Sequence, residues 1–352
     1  MKIKRSNAYS KLTLISSMLL FVMLMMVPFF ASENVLERLT VLFIYIILAA
    51  MWNTLAGFGG LISIGQQLFF GLGAYATIRL ANAGIPPFTA LLMASLLVGL
   101  LSWPISKFML HLRAAEFGIG MWVLASVGHL LVNLDPLIQG ETGTSLISLN
   151  TYNIEVRRIL IYLVGLVCMA GLLVGLFYLL RSKAGIAMQA IRDNEDAADS
   201  IGIDAQTVKT WFFIFAAFGT ALAGGLWLAQ ASSFQPKTYF SVQWTAYMIF
   251  MVLVGGIGRF EGAILGALLF FIVETWFAAT GVWYLVGLGA VAVFCSLFLP
   301  KGLWGLIETR LGICLIPVGY QVKGHVLKDG TFKEDVFNED AFKKDALKKG
   351  KP

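Results

Sequence analysis

Residues Arg181 to Lys209 read RSKAGIAMQAIRDNEDAADSIGIDAQTVK. The stretch lies between two apolar segments, Ile159–Leu180 and Thr210–Ala229. A transmembrane helix needs about 20 consecutive apolar residues. No such run occurs here, so the stretch lies outside the membrane. It also contains no Pro, and its composition is not that of a flexible linker. Asp193 or Asn194 can cap a short helix, with Glu195 and Asp196 in its first turn, where the positive end of the helix dipole favours acids. Gly202 is a natural stop, because Gly accepts the left-handed conformation that follows a last turn. Ala197, Ala198 and Ile201 fall on one face at helical spacing. A small-faced helix at the membrane surface is expected, against which another protein's backbone can come close.

Working outward, the rest of the chain is apolar. Hydrophobic residues make up 58% of the 352, charged residues only 13%, and the mean hydropathy is +0.80. A soluble domain is closer to half apolar and a quarter charged. An all-α polytopic membrane protein follows. Ten apolar segments are expected to cross: Leu12–Ala31, Leu39–Gly57, Leu61–Leu80, Phe88–Ser106, Ala114–Leu134, Ile159–Leu180, Thr210–Ala229, Val242–Val254, Ala263–Ala279 and Trp283–Leu299. The first reads as an uncleaved helix, because its apolar core is longer than a secretory signal's and Phe29-Phe30-Ala31-Ser32 is a poor cleavage site. The eighth is the shortest, and an earlier start or a tilt would lengthen it. Residues 1–306 form the transmembrane part, and 307–352 a mobile polar tail.

Charge orients the segments. With ten crossings and the N-terminus inside, only Arg38, Arg79, Arg157, Arg158 and Lys237 of the 26 Lys and Arg fall on the outer side. The positive-inside rule then places both termini and the Arg181–Lys209 stretch in the cytoplasm. The net charge of +6 therefore reports orientation, and nucleic acid is not a partner. The longest outer loop, Asp135–Arg158, holds Pro136, Gly140 and Gly143. It is either a plain solvated loop or part of a surface for an external partner. Trp304 is expected at headgroup level, and a five-residue motif recurs with variation from Thr331 to Gly350.

No catalytic apparatus is visible. The only Gly-Lys pair, Gly350-Lys351, lacks the Gly-rich loop that cradles phosphates. His111, His129 and His325 are scattered, and the three Cys do not form a metal or disulfide pattern. No cofactor or metal is expected, and ATP-driven transport would need a separate nucleotide-binding subunit. Polar residues inside the apolar segments are costly and usually face a partner helix or a cavity. Asn53, Glu116, His129, Asn133 and Glu274 are of this kind. Glu116 is placed to pair with Arg113; His129 and Asn133, one turn apart, either line a vestibule or hydrogen-bond a neighbouring helix, and the second is preferred. Glu274 needs a partner that the sequence does not identify.

Two Gly-rich stretches stand out. Gly57 to Tyr75 carries six glycines in nineteen residues, with Ser63, Gln66 and Gln67 among them. In a bilayer such a segment either packs tightly or opens locally around a path. Ser63, Gly65, Gln66, Gln67 and Gly71 are the candidates for a translocation path. Gly255-Gly256-Ile257-Gly258 is the second Gly-rich stretch, and Phe298-Leu299-Pro300-Lys301-Gly302-Leu303-Trp304 follows at the end of the last apolar segment.

These motifs resemble a known family. Asp196-Ala197-Ala198, three residues, then Gly202 resembles the EAA loop of ABC-importer membrane subunits, in which a coupling helix docks on the ATP-binding subunit. Asp stands where that motif has Glu, and its Ile-x-Leu-Pro ending is missing. The phrase from Ala190-Ile191-Arg192 to Gly202-Ile203 looks more narrowly like the permeases of branched-chain amino acid and urea importers. So do the two Gly-rich stretches and the closing motif, in order from about Ala56 to Leu306. The resemblance implies coupling to the ATPase through Arg192, Asp193, Glu195, Asp196, Ala197, Ala198 and Gly202. It also implies cytoplasmic ATP-binding subunits, a second homologous permease, an external or periplasmic solute-binding protein and a place in the bacterial plasma (inner) membrane among lipid. The solute implied is a branched-chain amino acid, with urea or short amides as alternatives. The rival is an ion-coupled carrier using Glu274, Glu116 and His129; a scaffold role is disfavoured by the absence of a soluble domain.

Overall fold

A computed structural model describes residues 3–4, 8–112, 114–277, 281–299, 301–311 and 321–322. It is helical almost throughout. The helices are α1 (Ala8–Met26), α2 (Glu33–Gly59), α3 (Gln67–Asn82), α4 (Pro87–Met109), α5 (Ala114–Asn133), α6 (Ile154–Arg181), α7 (Lys183–Asp193), α8 (Glu195–Ser200), α9 (Ala205–Ala231), α10 (Pro236–Tyr239), α11 (Val242–Gly255), α12 (Phe260–Phe277), α13 (Val282–Phe298) and α14 (Gly302–Leu311). Two short antiparallel pairs complete the chain. β1 (Ile3–Lys4) pairs with β4 (Gln321–Val322), and β2 (Thr144–Ser145) with β3 (Ser233–Phe234).

Each of the ten expected segments coincides with a helix, and eight spans among the described residues are long and apolar enough to cross a bilayer. The two others differ for identifiable reasons. Within the third segment the chain is not helical before Gln67, which shortens α3 to 16 residues. In the first, the apolar helix is the shorter Ile15–Phe29. The eighth segment does begin earlier, because α10 leads into α11 and together they make a 20-residue span, Pro236–Gly255. The β1–β4 pair brings Ile3 opposite Val322 and Lys4 opposite Gln321.

The bundle is built on two central helices. The apolar window of α2 is 83% buried and that of α9 is 78% buried, against 18% for the span containing α13. α9 packs against α3 and α4, with α5 beside α3. α2 packs against α6, α9 and α12; α11 packs on α12, α13 lies against α11, and α14 touches both α11 and α12. Gly and Ala dominate the buried face of α9, including Gly219, Ala221, Ala223, Gly224 and Gly225. Small residues let helix backbones approach where lipid supplies no hydrophobic drive to associate. Aromatic pairs fill the wider gaps, such as Phe69 edge-on to Phe213 and Tyr45 edge-on to Phe270.

The long loop between α5 and α6 is structured. Ile138, Leu146 and Leu149 are buried, and β2 docks on β3 just past the end of α9. Asn133 Nδ2 donates to Glu141 Oε1 at 2.6 Å, His129 Nε2 lies 2.9 Å from the same oxygen, and the Lys237 amide donates to Oε2 at 3.1 Å. His129 and Asn133 thus anchor this loop rather than a neighbouring helix. The hydrogen bond from Asn133 leads in holding the Glu141 carboxyl below its ordinary range. Arg113, the expected partner of Glu116, lies outside the described residues, as does the recurring motif of the tail.

Candidate functional site

The polar stretch forms two helices, not one. α7 starts at a Ser182 cap, whose hydroxyl accepts from the Gly185 amide at 3.3 Å. The local sequence also specifies α8. Asn194 takes extended backbone (φ −161°) and its side chain accepts from the Ala197 amide at 3.0 Å, so Asn194, not Asp193, is the cap. At the other end Gly202 has φ +84°. Its amide donates to Asp199 at 2.9 Å, and the Ile203 amide to Ala198 at 3.1 Å. Those paired bonds are the Schellman pattern, whose accompanying apolar contact is here Ile203 against Ala198.

The expected contact face is divided. Ala198 is 2% exposed and packs with Ile191 and Ala205, inside the chain. Ala197, Asp196 and Gly202 are exposed, and Ile201 is 76% exposed. A single face for Ala197, Ala198 and Ile201 is therefore not what forms: α8 is one and a half turns long, and the side against α9 takes Ala198. Glu195, itself exposed, places its Oε1 2.5 Å from the ammonium of Lys209, whose side chain is only 8% exposed. Arg192 reaches the Gly57 carbonyl at 3.0 Å and shares Asp193 Oδ1 at 2.9 and 3.0 Å. Asp204 caps α9, and hydrogen bonds from Thr207 hold its carboxyl below the usual range.

The first Gly-rich stretch opens. α2 ends at Gly60 in the left-handed conformation, φ +68°, and the chain stays non-helical until α3 begins at Gln67. Burial alternates along it: Leu61, Ser63 and Gly65 are buried, while Ile62 and Ile64 are exposed. The segment climbs into the bundle. Trp52 Nε1 donates to the Ser63 carbonyl at 2.9 Å, and about 10 Å of helix separates Trp52 from the end of α2. Gln66 Nε2 reaches Thr220, near the middle of α9, at 3.0 Å.

The three polar side chains expected on a path are buried: Ser63 and Gln67 are 1% exposed and Gln66 is not exposed. Gln67 accepts from the Thr245 hydroxyl, and Gln66 Oε1 is buried with no partner. Gly65 backs on the Met121 carbonyl and Gly71 on the ring of Phe240, so both are sites of close approach. What the segment presents outward is its backbone with Ile62 and Ile64. Those two residues carry no signal in the sequence beyond being apolar.

The second Gly-rich turn joins the same region. Asn53 accepts from the Gly258 amide at 2.9 Å and donates to the Arg259 carbonyl at 3.0 Å. Arg259 pairs with Glu308, which ties the turn to α14. Glu274 finds its partner in Tyr45, whose hydroxyl donates to it at 2.7 Å. No group of three or more His, Cys, Asp and Glu among the described residues has metal-binding geometry.

An apolar bundle of helices long enough to cross a bilayer, with one segment broken inside it and a capped polar elbow at its end, defines a multi-pass membrane protein. A family model described as the branched-chain amino acid transport system / permease component matches residues 34–297, and the chain belongs to that family. It is similar to the high-affinity branched-chain amino acid transport system permease protein LivM of Escherichia coli K12. The two are 26% identical over 314 residues, covering 81% of this chain and 73% of the relative. The LivM protein of Salmonella typhimurium matches equally, at 26% over 314 residues. A probable LivM of Methanocaldococcus jannaschii is 24% identical over 242 residues, covering 61% of this chain and 68% of the relative. No solved structure matches.

Proposed function

We propose that the chain forms half of the membrane path of an ATP-driven importer of branched-chain amino acids. A second, homologous permease supplies the other half, a solute-binding protein delivers from outside, and two cytoplasmic ATP-binding subunits drive the cycle. The names of the relatives support the solute, and the helix α8 carries the coupling. A six-residue helix with a side-chain cap at one end and a Schellman stop at the other is more order than a loop needs. Its outward residues, Asp196, Ala197, Ile201 and Gly202, are the docking surface for the ATPase, with Ile201 as the apolar knob. Glu195 and Ala198 hold α8 against α9, and Arg192 with Asp193 ties the end of α7 to Gly57 at the end of α2. Both termini are cytoplasmic and the membrane is the bacterial plasma membrane. The permease makes no covalent bond to its solute.

Co-purification of the ATP-binding subunit tests this. It should accompany the wild-type protein and be lost from Ile201→Asp, with the variant still inserted at normal levels. Uptake of labelled leucine should stop on ATP depletion. Uptake that survives ATP depletion and collapses with the ion gradient would establish the carrier instead.

A further inference from the structure

We propose that Arg192 is a positioning residue for transport, a strut that carries movement of α7 and α8 to the broken segment Gly60–Gln66 and does not itself touch the ATPase. The proposal rests on α8 being the docking helix.

The guanidinium occupies a junction. Nη1 donates to the Gly57 carbonyl at 3.0 Å. This is one of the last carbonyls of α2, which have no partner within their own helix, and a cation there is favoured by the dipole. The Asp193 carboxylate accepts from Nε and Nη2 and fixes the plane of the group. The stem lies on Gly60: a Cβ built there would stand 3.2 Å from Arg192 Cγ. Gly60 is the residue at which the broken segment starts. The same Nη1 is 3.3 Å from the position a Cβ would take at Gly258. The backbones of Gly57 and Gly258 themselves touch, since a Cβ at Gly57 would fall 2.4 Å from the Gly258 nitrogen. Asn53, one turn earlier in α2, holds Gly258 and Arg259 from the other side.

Three elements therefore meet at one side chain: the end of α7, the junction of α2 with the broken segment, and the turn between α11 and α12. α7 and α8 move together, because Asn194 ends the first and caps the second. A push on α8 reaches Arg192, two residues before the shared cap Asn194, and passes into Gly57 and Gly60. A residue whose work was docking would point away from the chain. Arg192 has its hydrogen bonds on the chain's own backbone and on its neighbour.

The test uses the full complex with its ATP-binding subunits in proteoliposomes, with Cys168, Cys295 and Cys314 replaced by Ser. Arg192→Ala, Arg192→Lys and Asp193→Ala are each combined with Ile62→Cys. Three quantities are read: ATPase retained and its hydrolysis, leucine moved per ATP, and thiol labelling of Cys at position 62 with and without a non-hydrolysable ATP analogue. In the parent, labelling is expected to change with nucleotide. Arg192→Ala is expected to keep the ATPase and its hydrolysis, lose leucine moved per ATP, and label alike in both conditions. Arg192→Lys, which keeps one charged donor, should restore part of the coupling. Asp193→Ala, at an exposed position, should give a weaker form of the same defect if Arg192→Ala does not accumulate. A merely structural lesion would lower hydrolysis and uptake together and leave labelling nucleotide-dependent, which overturns the strut. Loss of the ATPase from Arg192→Ala also overturns it, by making Arg192 a docking contact. Wild-type protein that carries no ATPase instead overturns the docking assignment on which the strut rests.

Discussion

Gly65→Ala adds one methyl group, and the structure says where it goes. A Cβ at Gly65 would lie 1.9 Å from the Met121 carbonyl oxygen, 2.1 Å from its carbon and 2.8 Å from the Trp122 nitrogen. All three are backbone atoms of α5, so no side chain can rotate out of the way. Relief needs α5 and the broken segment to part by about 1.5 Å before ordinary contact distances return. Overpacking of this kind costs about 1–3 kcal/mol in soluble cores, and the rigid neighbour puts Gly65 at the upper end. Near 2–4 °C per kcal/mol, the melting temperature in detergent should fall by several degrees. Uptake per inserted molecule should fall further, because the displaced segment is the one proposed to line the path. The comparison is Gly171→Ala, where a Cβ would meet nothing within 4 Å. If Gly65→Ala melts and transports like Gly171→Ala, the close approach of the segment to α5 is wrong.

Other perturbations follow from the same contacts. Ala198→Arg forces a long cation between Ile191, Ala205 and Ile203, so α8 should lift from α9, with membrane insertion normal and the ATPase lost on co-purification. Asn194→Ala removes the cap of α8 and should cost about 0.5–2 kcal/mol locally; faster amide exchange over residues 195–200, with the transmembrane helices unchanged, is the check. The Glu141 anchor has a sign with pH. Its carboxyl is held below its ordinary range, chiefly by Asn133, so its stabilisation is full above the ordinary carboxylate value of about 4.3 and is lost as pH falls through the lowered value. Amide protection across residues 138–149 should hold from neutral pH to about 5 and fail only in stronger acid, and Glu141→Gln should abolish that acid step.

The sequence made the helices readable because each is a run of apolar residues with polar punctuation. The ends of α8 were readable for a different reason: Asn194 and Gly202 act within three residues of themselves. What escaped depends on distant neighbours. Ala198 turns inward only because α9 returns beside it. α7 is a polar helix with no apolar run to announce it, although Ser182 followed by Gly185 held the capping signal. Six glycines implied that the segment after α2 is weakly helical, but its opening depends on Trp52 and Met121, which the spacing does not bring near. The partner of Glu274 is Tyr45, 229 residues away. Ser63, Gln66 and Gln67 were singled out as polar within an apolar segment; their side chains bind α9 and α11 or lie buried, and the outward positions, Ile62 and Ile64, flank Ser63.

That outward face constrains what lies beside it. Among the described residues, the amides of the exposed Ile62 and Ile64 make no hydrogen bond. In hydrocarbon each unpaired backbone group costs several kcal/mol, so irregular backbone survives at membrane depth only where protein covers it or water reaches it. The segment lies deep enough for this to apply, since its far end is beside the middle of α9. Lipid is therefore the one neighbour the Ile62–Ile64 face cannot have. A second permease packed across it would bury the isoleucines and leave the amides along a watered seam between the two chains. In that arrangement the path is walled by backbone and branched aliphatic side chains, a lining suited to an aliphatic amino acid whose charged groups are carried by water and main-chain dipoles. Ile62→Cys and Ile64→Cys should then react with a water-soluble thiol reagent and cross-link to the partner permease, whereas Leu100→Cys, an exposed apolar position on α4, should do neither. Equal silence at all three positions would put the broken segment against lipid and leave its unpaired amides without a physical account.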